Sequence, residues 1–148
     1  MTVVDTNTII NSINNGGKLP SIEITVSDDL YYEYLVAEAR HNKKFEMVKL
    51  ASSMKGYDEA HYLKEYATML NKFTGVSFAK MRGFADVSIL ALVSCLVTDY
   101  GRRPPQTTLE FGTIDTSLVT VITKDGPLKK MLADEFGNQV NIMSEFKG

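Results

Sequence analysis

Three times in this chain a short, β-branched apolar run gives way to an acid or a small polar residue, and a helix-opening pattern follows at once. Val3-Val4 leads into Asp5 and Thr6-Asn7-Thr8. Ile22 to Val26 leads into Ser27-Asp28-Asp29. Val119 to Ile122 leads, through Thr123 and Lys124, into Asp125-Gly126-Pro127. Short continuous apolar runs suit strands buried on both faces. Ser, Asp and an early Pro suit the first turn of a helix. Strands that alternate with helices need crossover connections, so the chain is expected to fold as an α/β domain with a mainly parallel sheet. Right-handed crossovers then bring the strand ends after Asp5, Val26 and Asp125 to one edge. In open α/β sheets that edge is where ligands bind.

The rest of the pattern fills in around these units. Thr6 to Asn14 reads as a short helix stopped by Asn14-Asn15-Gly16-Gly17, and a second helix runs from the Ser27 cap to about Arg40. Lys44 to Met54 is expected to be a helix closed by Lys55-Gly56. Asp58 caps the next one, with Ala60, Leu63, Ala67, Leu70 and Phe73 at offsets of three and four as its apolar face and Gly75 as its end. A brief segment near Phe78 to Met81 leads to Gly83. Phe84 to about Thr98 is apolar nearly all round, which predicts a central buried helix whose one charge, Asp86, lies in the first turn. Tyr100 to Ser117 is the least regular stretch, with a short strand or hairpin arm at Thr107 to Phe111. A helix from Gly126 to Glu135, a break at Gly137 and a last strand from Gln139 to Met143 complete the chain.

Several functions are disfavoured by composition. The single cysteine, Cys95, sits in the apolar helix and excludes an internal disulfide and a Cys-rich zinc site; a buried structural thiol is expected. His41 and His61 fall in polar helical stretches and read as surface residues. No apolar run reaches the ~18 residues of a membrane span, and no basic-then-apolar leader opens the chain, so a cytoplasmic location is expected. The net charge of −2 does not advertise nucleic-acid binding. Setting aside four candidate site acids leaves 14 acids against 16 bases, a remainder that permits a polyanionic partner.

Those four acids are Asp5, Glu33, Asp86 and Asp125. Asp5 and Asp125 end strands at the predicted edge, Glu33 lies in the helix that leaves a third strand, and Asp86 opens the buried helix. Carboxylates gathered without cations repel one another and resist ionisation. Around a hard divalent cation they become oxygen ligands, and two such ions can activate water for phosphodiester hydrolysis. The plainer alternative is that they are caps and solvated surface acids.

The blocks that hold these acids resemble PIN-domain nucleases. Val3-Val-Asp-Thr-Asn-Thr-Ile-Ile10 is similar to that family's first strand and its acid. Ile24-Thr-Val-Ser-Asp-Asp-Leu-Tyr-Tyr-Glu33 is similar to its second block, Gly83-Phe-Ala-Asp86-Val-Ser-Ile-Leu-Ala-Leu92 to its third, and Val121-Ile-Thr-Lys-Asp125-Gly-Pro-Leu128 to its fourth. The order is the family's, and the match spans nearly the whole chain. The resemblance implies a single domain over residues 1–148, a three-layer α/β/α PIN-like fold around a mainly parallel sheet of four to five strands. It implies a VapC-like endoribonuclease using Mg²⁺ or Mn²⁺, which leaves 5′-phosphate and 3′-hydroxyl ends. Asp5, Glu33, Asp86 and Asp125 would be its metal-site acids, with Thr123 and Asn7 in support. Thr123 has an alternative role as a β-branched strand residue. The family also suggests RNA as partner, an antitoxin protein if the chain is the toxin of a pair, and a homodimer.

One departure is the length between Asp86 and Asp125. The surplus falls at 100–117 as an insert, where Arg102 and Arg103 either contact phosphates or decorate the surface. Two other functions stay open. A PIN-like module that binds RNA or protein without cutting needs no intact acid set. A phosphatase of the haloacid-dehalogenase type also begins with a strand-terminal Asp, but it carries a second Asp where this chain has Asn7.

Overall fold

The computed structural model describes residues 1–14, 23–42, 44–45, 48–73, 84–100 and 119–144. In chain order the elements are β1 (Thr2–Val4), α1 (Thr6–Asn14), β2 (Ile24–Val26), α2 (Asp28–His41), β3 (Val48–Leu50), a 3₁₀ turn at Ala51–Ser53, α3 (Glu59–Phe73), α4 (Phe84–Tyr100), β4 (Val119–Ile122), α5 (Gly126–Phe136), a 3₁₀ turn at Gly137–Gln139 and β5 (Val140–Met143). All pairings among the described residues are parallel. One ladder runs β1-β4-β5 and a second joins β2 to β3. β2 packs beside β1, so β1 lies in the interior of the strand set. The step from β1 to β2 and the step from β4 to β5 move in opposite directions. Right-handed crossovers therefore put α1 and α5 on opposite faces, which fits a three-layer α/β/α architecture.

The core is organised around α4. Val87, Ile89, Leu90, Leu92, Val93 and Leu96 are all buried, covering every side of the helix. Burying each such side chain contributes about 1.5–3 kcal/mol. Val3, Val4, Val121 and Ile122 from the adjoining strands of the first ladder join the same cluster, as do Leu128 and Leu132 of α5. Helix α2 is held at both ends. The Ser27 hydroxyl accepts from the Leu30 N–H, and Asn42 takes the left-handed conformation (φ 50°) beyond the last turn. Gly137 ends α5 differently, with φ 52° and ψ −126°, a conformation open to glycine, and its N–H donates to the Ala133 carbonyl.

The helix expected over Lys44 to Met54 is not formed. Val48–Leu50 instead pairs with Ile24–Val26 as β3, followed by the 3₁₀ turn. Good helix formers such as Lys49 and Leu50 are overridden because the chain, turning back after α2, satisfies the free side of β2. Lys49 is exposed on this outer strand, where a charge discourages further strand pairing. The apolar face expected for α3 is also displaced. Ala60, Leu63 and Ala67 are exposed, Leu63 at 59%, while Tyr62 and Met69 are buried and Tyr66 and Leu70 partly so. α3 packs on α4 through this tyrosine-bearing stripe, whose hydroxyls escape a scale that ranks tyrosine below leucine. The strand at 119 ends at Ile122 rather than at Asp125, which belongs to the turn into α5. The Gly16-Gly17 stop, Gly75, the Phe78 to Met81 segment, Gly83, the 107–111 arm and Arg102-Arg103 lie outside the described residues. Among the described residues no helix is long and apolar enough to cross a membrane.

Candidate active site

At the carboxyl end of β1 the ladder carries on for one residue, as the Asp5 N–H donates to the Ile122 carbonyl at 3.0 Å. This seats Asp5 between β1 and α1, only 8% exposed. Its carboxylate is held from two sides. The Thr123 hydroxyl donates to Oδ2 at 3.0 Å, and the Asn7 backbone N–H donates to Oδ1 at 3.3 Å. Thr123 is wholly buried, and its hydroxyl also accepts from the Asp125 N–H at 3.1 Å. One hydroxyl therefore joins the ends of β1 and β4. This assigns Thr123 a polar task that a β-branched strand residue would not need.

Asp125 is the N-cap of α5, its Oδ1 accepting from the Leu128 N–H at 3.1 Å. The cap and the site are not exclusive, since capping engages one carboxylate oxygen and leaves the other. Glu33 accepts from the Thr6 hydroxyl at 3.1 Å, which ties α2 to the start of α1. The Tyr34 hydroxyl donates to the Val4 carbonyl at 2.6 Å and fixes α2 against the end of β1. Burial, with the charges of Asp5 and Glu33 adding to it, pushes the Tyr34 hydroxyl's pKa up and keeps it a donor.

Glu33, Asp86 and Asp125 line an open cleft of about 410 Å³, together with Thr6 and Asn7. Asp5 is outside this lining but interacts with the charges of Asp125 and Glu33. The four acids come from four separate elements or their ends; three of them line one cleft, and Asp5 interacts with the charges of two of those. Electrostatics bear the mark of that gathering. Burial raises the pKa of Asp5 above its ordinary 3.8, the bonds from Thr123 and Asn7 oppose the rise, and the Asp125 charge adds to it. Glu33 is also raised, first by desolvation and then by the charges of Asp5 and Asp29, against the Thr6 hydroxyl. The first turns of α1, α4 and α5 meet at the cleft, and their dipoles favour negative charge there.

The donors fit a hard cation. They are carboxylate and hydroxyl oxygens without imidazole or thiolate, which suits Mg²⁺ or Mn²⁺ better than zinc. Among the described residues, however, no three His, Cys, Asp or Glu side chains are grouped closely enough to hold an ion directly. The fit is thus with an ion that keeps several waters and takes one or two carboxylates.

Some participants escaped the sequence pattern. Thr6 was placed only as part of a helix start. Tyr32 and Arg40, with Ile10, Val36 and Ala37, also line the cleft. Tyr32, Val36 and Arg40 recur every four residues, a stripe that was legible but lies opposite the buried Leu30-Tyr34-Ala37 stripe of the same helix. From the sequence Asp29 reads only as an acid in the first turn of α2. It accepts from the Tyr62 hydroxyl at 2.7 Å and from the Ser88 hydroxyl, joining α2 to α3 and α4. Burial works against its charged form, but the bonds from Ser27, Ser88 and Tyr62 prevail and hold its pKa low. Cys95 is buried, as expected. Compared with family models, curated proteins and solved structures, the chain finds no match.

Proposed function

We propose that the protein is a metal-dependent endoribonuclease that hydrolyses RNA to 5′-phosphate and 3′-hydroxyl ends. The observation that carries this reading is that Glu33, Asp86 and Asp125 line one cleft, while Asp5, at the carboxyl end of β1, interacts with the charges of Asp125 and Glu33. The resemblance of the four blocks to PIN-domain nucleases supports the choice of phosphodiester chemistry.

Asp5 and Asp125 would hold a Mg²⁺ or Mn²⁺ ion, with Glu33 and Asp86 reaching it directly or through its waters. Such an ion supplies a water of lowered pKa and a positive charge against the phosphoryl oxygens. The protein's own groups do the rest. The Thr123 hydroxyl and the Asn7 N–H keep the Asp5 carboxylate in one orientation, and each of its oxygens retains accepting capacity beyond these two bonds. Thr6 fixes Glu33 on the cleft wall. The first turns of α1 and α5 favour the phosphate's charge. The pKa values of Asp5 and Glu33 are raised first by burial and then by neighbouring acid charges, and a bound cation would oppose both.

The test is a cleavage assay on labelled RNAs with and without Mg²⁺ or Mn²⁺, beside Asp5→Asn. The variant is expected to lose cleavage and keep its fold. Metal-dependent cleavage retained by Asp5→Asn would sink the proposal. The non-catalytic alternative draws on the absence of a tight three-acid group among the described residues. It predicts no heat of divalent-ion binding in calorimetry. A role as the toxin of a toxin–antitoxin pair predicts growth arrest on expression, relieved by a neighbouring gene.

A further inference from the structure

The carboxylates are only part of the cleft lining. Along α2 the cleft also presents Tyr32, Val36 and Arg40 at four-residue spacing, and Ile10 of α1 is among its lining residues. Tyr32 is 70% exposed and Val36 is 50% exposed. Large apolar side chains left open beside a group of acids need a reason, because burying them elsewhere would be favourable. Arg40 makes no ion pair with any described residue. Among the described residues that line the cleft it is also the one cation. Eight residues of helix separate Tyr32 from Arg40, about 12 Å along the axis. The cleft thus offers carboxylates together with a flat aromatic ring, an aliphatic surface and a guanidinium, the last three in that order along α2.

Resting on the nuclease reading, we propose that Tyr32 and Arg40 form a nucleotide subsite for single-stranded RNA, with an unpaired base stacked on the Tyr32 ring and a flanking phosphate paired with Arg40. A nucleotide strand carries the matching sequence of groups. Its scissile phosphate belongs at the acid end, the neighbouring base lies over Tyr32 and Val36, and the next phosphate meets the guanidinium fork in bidentate geometry. The strand must be single, because a duplex keeps its base faces covered by its own stacking. Stacking on an aromatic ring is tolerant of base identity, so the subsite sets strandedness rather than sequence.

The experiment measures binding, apart from cleavage. Anisotropy of a labelled single-stranded RNA is followed with the wild-type chain in chelator and with Asp5→Asn in Mg²⁺. The same measurements are made with Tyr32→Ala, Tyr32→Phe and Arg40→Ala, and with an RNA carrying one abasic position. Tyr32→Ala is expected to weaken binding roughly five- to a hundredfold and Tyr32→Phe by less than about twofold. The abasic RNA is expected to bind the wild type as weakly as intact RNA binds Tyr32→Ala, and to show no further loss with that variant. Arg40→Ala should lower the slope of log affinity against log salt by about 0.7. Duplex RNA binding as tightly as single strand, additive effects of Tyr32→Ala and the abasic position, or no RNA binding under either condition overturns the subsite. Cleavage by wild type with an unchanged KM in Tyr32→Ala removes the subsite but leaves the nuclease. Binding that depends on Tyr32 without cleavage by the wild type removes the nuclease and leaves the subsite.

Discussion

Replacing Thr123 by Val separates the hydroxyl from the shape of this residue. Valine keeps the volume and the β-branching, so no cavity term arises. What disappears is one donor to the Asp5 carboxylate at 3.0 Å and one acceptor for the Asp125 N–H at 3.1 Å. A hydrogen bond to a charged group is worth about 1.5–3 kcal/mol and a neutral one about 0.5–1.5 kcal/mol. Asp5 keeps its Asn7 bond and a little exposure, so the lower half of the sum applies, about 2–3 kcal/mol. In a chain of 148 residues that lowers Tm by about 4–12 °C. Thr123→Ser keeps the hydroxyl and loses one buried methyl, about 1 kcal/mol. Urea titrations followed by far-UV circular dichroism at pH 7 in chelator give both numbers. The order wild type, then Ser, then Val is expected. A Val variant as stable as wild type, with Ser the weaker of the two, would show that Thr123 is there for its shape. The hydroxyl bridge between β1 and β4 would then carry none of the stability assigned to it.

Acid titration gives a second set of outcomes. Because the Asp5 and Glu33 pKa values are raised, the stability they contribute is fully present below their ordinary values of 3.8 and 4.5 and is lost as pH rises through the folded values. Asp5→Asn should therefore flatten this part of the stability profile in chelator, and Mg²⁺ should stabilise wild type more than the variant near pH 7, as read by thermal melts. Asp29 behaves with the opposite sign. Its depressed pKa gives stability that is present above 3.8 and lost as pH falls through the folded value, so Asp29→Asn should lose less stability than wild type below pH 3.8. In α3, Leu63→Ala should change stability by less than about 0.5 kcal/mol, whereas Met69→Ala should cost about 2–5 kcal/mol; equal effects in denaturant titrations would contradict the observed packing face. Native Cys95 should resist a thiol reagent until the protein unfolds, and rapid labelling of the folded chain would show that α4 opens.

Local chemistry carried much of this fold. The β-branched runs at Val3, Ile24 and Val119 are strands, and Ser27, Asp58 and Asp125 stand at the helix starts their side chains predict. Helix α4 is buried all round because its composition leaves no polar face. These features depend on neighbours within one turn or one strand, so they can be read from a short window. β3 and the true face of α3 cannot. Val48–Leu50 is a strand only because β2 has a free side, and Tyr62 turns inward because Asp29, 33 residues away, accepts its hydroxyl.

The same division holds at the cleft. Sequence alone placed an acid at Asp5, Glu33, Asp86 and Asp125, each next to an element boundary, and parallel α/β topology predicted a common edge for the strand ends. Only the tertiary structure decided which groups meet: Thr123 bridging Asp5 and Asp125 across 118 residues of chain, Thr6 holding Glu33, and the Tyr32–Arg40 stripe lining one cleft with Glu33, Asp86 and Asp125. A strand end or a cap is a local preference of the backbone, whereas a hydroxyl pointed at a distant carboxylate exists only after both strands have paired and their register is set.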